Sequence, residues 1–431
     1  MLLIFTQKPT ARITYVFKHM ITRVLGVDIQ FTSTLEEWLG YAGPKMSYGK
    51  QPMGNELFFQ SVDLLSQQGI ESVEISVKKW DETYGFFPVS ARSALPFDIF
   101  AASFYLLSRY EEYLPHVKDE RGRFVASESI AAKNNFLMQP VVDIWAYKLK
   151  DLLQQQFPEL IFPKKSMTVH SVVEASQPFA YSHKGIFRNI LGYFSDALKL
   201  RVRDIMERSK VIIGMRRDPY DRFKWMVSAS GRSKSKVTVF FMLGESINFI
   251  DGVSSNRKKY KMLVKYVGDY KEIGLLFSFD ALADFEKLKQ QKKNIEEITN
   301  RTLSSTMNAQ LLVDLPDIYR NLVELEVQRD FTMTYVNTPG FRAGTCTPFL
   351  FYDLDYEIKT PLIIHPMATT THAFKGDSEV KIMHTVNALY DAVTSVNGTF
   401  TVLFSNRDFS EENHTKYWRT LFSEKLHAHE K

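Results

Sequence analysis

Residues 331–354 read FTMTYVNTPGFRAGTCTPFLFYDL, two apolar runs flanking a loop of small residues that carries a single guanidinium. The β-branched and aromatic content of 331–336 and 348–352 predicts two strands. Between them Gly340 and Gly344 relieve Cβ crowding, and Ala343, Thr345 and Cys346 are small enough to admit a close neighbour. Arg342 is the one strong donor of the loop. Its planar fork suits a carboxylate, a phosphate or a polar sugar face, and equally an internal acid in a structural ion pair. A buried guanidinium without a partner is costly, so an acid is expected to hold it, Glu272 first and Asp353 second.

Outward from this loop, strand and helix patterns alternate. MTVHSVV at 167–173, KVTVFFML at 236–243, 274–279, 362–365 and GTFTVLF at 398–404 predict strands. Helical runs at 256–270, 285–298 and 316–325 lie among them, so repeated βα units and a parallel sheet or barrel follow. Nearer the N-terminus a strand at 2–5, a helix at 13–25 and a strand ending near Phe31 precede an apolar helix at 96–113. That helix ends in SRYEEY, where Arg109 and Glu111 or Glu112 read as a self-satisfied pair. Two prolines and two lysines near 157–165 mark a boundary between domains at 1–160 and 165–431.

In order and spacing, GFRAGTCTPFLFYDL resembles a signature of the bacterial polysaccharide deacetylase (NodB-like) family, in members with an additional N-terminal domain of unknown function. The resemblance extends along most of the chain. It implies a distorted (β/α) barrel preceded by a smaller α/β domain, and hydrolysis of non-peptide C–N bonds in carbohydrate by means of a divalent metal such as zinc. The same resemblance shows where that chemistry is lost. Aligned on Ala180 and Tyr181, Glu174 and Ser176 stand at the family's Asp-x-Asp pair. Glu174 retains the capacity of a base, whereas Ser176 is a poor ligand for a divalent ion. Leu276 replaces a histidine ligand two residues beyond Gly274, and an aliphatic side chain coordinates nothing. Asp280 is a possible oxygen ligand or a helix N-cap. Ala309 falls in an Arg-Gln-His string, Thr371 at an aspartate, and Ser405 and Asn406 in a Trp-His-Asn string.

In such barrels the C-terminal strand ends form the active face. The expectation is therefore a catalytically degenerate protein of surface carbohydrate metabolism, with no metal and no cofactor. It would bind a glycan, a lipid-linked glycan or a protein partner, with Arg342, Thr345, Asn406 and Glu272 as contacts. The alternative is a divergent hydrolase with Glu174 as base. His170, on one strand face with Glu174, and His365 read as core histidines rather than a relocated metal site.

Length and composition, 431 residues with 45% apolar, suit two or three folded domains. The single cysteine excludes intrachain disulfides and cysteine-cluster zinc sites. MLLIFTQKP does not read as a signal peptide and no apolar run approaches a spanning length, which predicts a cytoplasmic protein. GPKMSYGKQ has a glycine spacing one residue too long for a phosphate loop, and Gln51 stands at its Ser/Thr position. The net charge of +5 is concentrated in one place, since residues 199–236 hold twelve Lys or Arg against four Asp or Glu. Residues 185–213 overlap this segment and have apolar residues at helical spacing. They would dock on an anionic membrane surface at the inner face, bind nucleic acid, or pack against their own sheet with a solvated basic face. No nucleic-acid motif accompanies them, so no nucleic acid is expected.

Overall fold

The alternating apolar runs become two parallel sheets in the computed structural model, which describes residues 1–231, 234–244, 254–411 and 415–427. The first sheet has the order β2-β1-β3-β4, with β1 Leu2–Phe5, β2 Ile29–Thr32, β3 Lys45–Gly49 and β4 Phe58–Gln60, all parallel. A short antiparallel hairpin, β5 Lys78–Trp80 and β6 Thr83–Gly85, follows. The helix Ile99–Leu107 is buried at all nine positions, which explains its lack of a polar stripe. It does not run on to Tyr113. Arg109 takes a left-handed conformation (φ 54°) and a separate turn, Tyr110–Tyr113, begins.

The second sheet contains β7 Thr168–Ala175, β8 Lys236–Met242, β9 Glu272–Phe277, β10 Ser305–Asn308, β11 Arg329–Asp330, β13 Ile358–Ile364, β14 Thr369–Thr370 and β15 Thr399–Ser405, all parallel. Among the described residues only β12, Phe349–Asp353, runs antiparallel in this sheet, on β13 at the edge. The strand expected at 331–336 is absent. The ladder stops at Asp330, whose carboxylate accepts from the Thr332 hydroxyl (2.6 Å) and amide (2.9 Å) and turns the chain out of the sheet.

The sheet is strongly curled. Three strands separate β7 from β11, a distance of about 19 Å in a flat sheet, yet the His170 ring lies 5.3 Å from Phe331 just after β11. Val172, Phe240, Leu276, Met307, Phe331 and Leu403, drawn from successive strands, meet in a small apolar cluster of their own. Between β13 and β14 the backbone is held on both sides. The amides of His365 and Met367 donate to the carbonyls of Asp330 (2.8 Å) and Met333 (3.2 Å), and the Ala368 amide donates to that of Thr401 (2.9 Å). The main apolar core runs without a break from the first sheet into the second. No helix among the described residues is long and apolar enough to cross a membrane.

Candidate functional site

The GFRAGTCTP loop packs against the N-terminal part of the chain, on Leu106, Glu112, Leu137 and Asp143. Arg342 is 2% exposed. Its Nε and Nη2 donate to Glu112 Oε1 (2.9 Å) and Oε2 (2.7 Å), and Arg109 Nε donates to the same Oε1 (2.8 Å). Arg109 also donates to Glu111 (2.8 Å) and to the Arg342 carbonyl. Burial alone would raise the Glu112 carboxyl, but the two guanidiniums outweigh it and hold it down to about 2. The partner of Arg342 is thus Glu112, and neither Glu272 nor Asp353. Glu272 opens β9, at the opposite end from the C-terminal strand ends, and pairs with Arg329 (2.5 Å). Asp353 binds Arg320 (2.6 Å).

Thr345 is equally committed to this seam. Its hydroxyl donates to Asp143 Oδ2 (2.7 Å), as does the Cys346 amide (3.0 Å), while the Thr347 hydroxyl donates to Oδ1 (2.5 Å). Close approach explains the glycines. A Cβ on Gly340 (φ 136°) would lie 2.6 Å from the Leu137 carbonyl, and one on Gly344 (φ 64°) 2.8 Å from Leu106. Arg342, Thr345 and Glu272, expected as substrate contacts, thus each have an internal partner, in Glu112, Asp143 and Arg329 respectively.

The open site lies at the C-terminal strand ends, a cleft of about 770 Å³. Glu174 and Ser176 reach it from β7, Ala309 from beyond β10, Thr371 from beyond β14, and Ser405 from the end of β15. Leu276 stays in the apolar cluster beneath. Asn406 lies below the cleft wall, donating through Nδ2 to the carbonyls of Gln177 (2.9 Å) and Tyr220 (3.3 Å). Asp280 is elsewhere. It accepts from Ser278 (2.6 Å) and Lys287 (3.2 Å), and the N-cap of Phe285–Thr299 is Asp284. His170 Nε2 pairs with the Thr238 hydroxyl (2.8 Å) and His365 stacks on Phe331 (4.3 Å), so neither enters the cleft. Among the described residues no three His, Cys, Asp or Glu side chains converge as a metal site.

Three contributors escaped the reading of the sequence. Asp408 caps the turn after β15, accepting from the Ser405 amide (2.8 Å) and the Thr371 hydroxyl (2.7 Å). Burial pushes its carboxyl up to about 6 against those hydrogen bonds and Arg407, and the charge of Glu174 adds to the rise. Asp98 and Asp330 are also raised by burial to about 6, but neither lines the cleft. His372 is lowered, first by burial and then by Lys375, so it stays neutral near pH 7. Arg121 comes from the N-terminal part, on a loop fixed where Arg123 donates to Asp119 (2.7 Å) and to the Gln310 carbonyl (2.9 Å). The signal for Asp408 was present as Ser405-x-x-Asp408, a capping pattern at a strand end.

Comparison with known proteins adds the following. Among solved structures the chain is similar to a candidate polysaccharide deacetylase from Mycobacterium smegmatis (TM-score 0.37, 10% identity, 62% of this chain and 88% of that one). It is also similar to a 4-alpha-glucanotransferase from Thermococcus litoralis (TM-score 0.35, 11% identity, 60% and 36%). A mutant CE4-family pseudoenzyme with restored enzymatic activity gives a TM-score of 0.29 at 10% identity, over 60% and 62% of the two chains. No curated protein matches the chain in sequence. Residues 2–158 match a family of unknown function, DUF7033.

Proposed function

We propose that the second sheet is rolled into a distorted (β/α) barrel whose strand-end cleft binds carbohydrate without metal-dependent deacetylation. The roll is supported by the 365–370 stretch, which hydrogen-bonds to Asp330 and Met333 on one side and to Thr401 on the other. One observation carries the binding reading. Glu174, Asp408, Thr371 and Ser405 share a cleft with the rings of Tyr220 and Trp418, while Ser176 and Ala309 occupy positions where the resemblance calls for ligands. Carboxylates and hydroxyls match sugar hydroxyls, and aromatic rings match the C–H faces of a pyranose.

Calorimetric titration with acetylated and deacetylated oligosaccharides tests this. Binding is expected for the parent and a loss of at least about tenfold for Glu174→Gln with Thr371→Val, equivalent to about 1.4 kcal/mol. Chelator-sensitive acetate release, with near-stoichiometric zinc by elemental analysis, would overturn it. The raised carboxyl of Asp408 beside Glu174 favours a second reading, metal-independent hydrolysis with Glu174 as base and Asp408 as acid. Chelator-insensitive turnover, abolished by Glu174→Gln, would select that reading.

A further inference from the structure

The insertion between β7 and β8 is built inside out. Helices Ile186–Leu198 and Val202–Ile212 meet through polar groups: Arg208 Nη2 donates to Asp196 (2.7 Å) and the Tyr193 and Ser209 hydroxyls pair (2.8 Å). Gly192 makes room, since a Cβ there would lie 2.3 Å from the Arg208 guanidinium. The apolar stripe faces outward instead. Ile190, Phe194 and Leu198, four residues apart on one face, are 58%, 64% and 70% exposed. The sequence left packing against the sheet open as one fate of this stripe, and the structure removes that fate.

At the tip the chain reads LKLRVR over 198–203, with Leu198, Leu200 and Val202 exposed between Lys199, Arg201 and Arg203, themselves exposed. Leu200 is 86% exposed and left-handed (φ 53°), a conformation that a bulky residue seldom adopts. The nearby acids are largely spoken for, Asp196 by Arg208 and Glu207 by Arg216. Residues 232 and 233 of the basic segment lie outside the described residues.

We infer that this hairpin docks the protein on an anionic lipid bilayer, with Phe194, Leu198 and Leu200 entering the headgroup boundary and Lys199, Arg201 and Arg203 meeting the lipid phosphates. The occupant must offer apolar depth and negative charge together over one continuous surface, which an anionic bilayer does. A second copy of the chain would set its own three cations against these across a two-fold axis. Both cleft-lining Ser176 and Tyr220 flank the insertion, so docking holds the strand-end cleft near the lipid surface. The inference does not depend on what the cleft binds.

The test is sedimentation of the full chain with vesicles of phosphatidylcholine, with and without about one-third phosphatidylglycerol, at about 0.1 M and about 0.5 M salt. Binding is expected only to the anionic vesicles and should weaken at high salt. It should fall about tenfold or more in Phe194→Ser with Leu200→Ser, and similarly in the triple glutamine variant of Lys199, Arg201 and Arg203. Melting temperatures should stay near the parent's, because these side chains are exposed. Cys346 is buried, so a Leu198→Cys variant takes an environment-sensitive dye at that site alone, and a blue shift on vesicle addition is expected. No anionic-vesicle binding, no blue shift, or binding indifferent to the Ser substitutions would overturn the inference. A dimer in light scattering, lost in the same Ser variant, would overturn it in favour of a second copy.

Discussion

The seam around Arg342 buries Glu112 and the cleft around Asp408 buries that carboxyl, and the two groups are treated in opposite ways. Glu112 is fixed by two guanidiniums and held at about 2. Asp408 receives two hydrogen bonds, lies within reach of the Glu174 charge and rises to about 6. A carboxylate saturated by cations serves cohesion, whereas one left near neutrality beside solvent and another acid is available to a ligand. The contrast also teaches that a glycine-rich loop with a single arginine can mark a joint rather than a site.

The sharpest way to break this comparison is Glu112→Gln. It would leave Arg342 buried without a carboxylate and Arg109 with Glu111 alone, so a loss of about 3–5 kcal/mol is expected in urea denaturation; a loss below about 1 kcal/mol would deny the seam its structural role. Gly344→Ala is expected to cost about 1–3 kcal/mol, from a positive φ and the contact with Leu106.

The two regions also predict opposite responses to pH. Glu112 sits below its ordinary value of 4.5, so its contribution is present above 4.5 and is lost as pH falls toward 2. Asp408 sits above its ordinary value of 3.8, so its contribution is present below 3.8 and is lost as pH rises through about 6. Subtracting the stability-versus-pH curve of Asp408→Asn from that of the parent should show a decline between those values; a flat difference would remove Asp408 from the comparison. The smallest expected effect is that of Glu174→Gln, within about 0.5 kcal/mol in stability. Its signature is instead a lower midpoint for Asp408 in a carboxyl NMR titration, and an unmoved midpoint would uncouple the pair.

Most of the scaffold was legible because its strands are long β-branched runs. The patterns at 167–173, 236–243 and 398–404 became β7, β8 and β15 within a residue or two. Where local pattern failed, tertiary contacts decided. Two-residue strands such as β11 and β14 exist only through their neighbours, and the Asp330 side chain ended a run whose composition favoured extension. In the cleft, Glu174, Ser176, Ala309, Thr371 and Ser405 were singled out by the resemblance to polysaccharide deacetylase motifs, and they meet because strand ends converge in a parallel sheet. Arg342 misled because its loop composition is equally compatible with a ligand and with a packed neighbour. Nothing near it in sequence names Glu112 as partner. Arg121 was missed for the complementary reason, since it belongs to a loop of the other half of the molecule.

The ion pair across the seam joins residues 230 positions apart. During synthesis Arg109, Glu111 and Glu112 therefore emerge long before the arginine that completes their burial. The N-terminal sheet and its apolar helix must wait with a charged, unsealed face until residue 342 leaves the ribosome. A chain whose final contacts are this non-local folds late and is vulnerable to aggregation while it waits. Expression of residues 1–158 alone should accordingly depend on chaperones far more than expression of the whole chain.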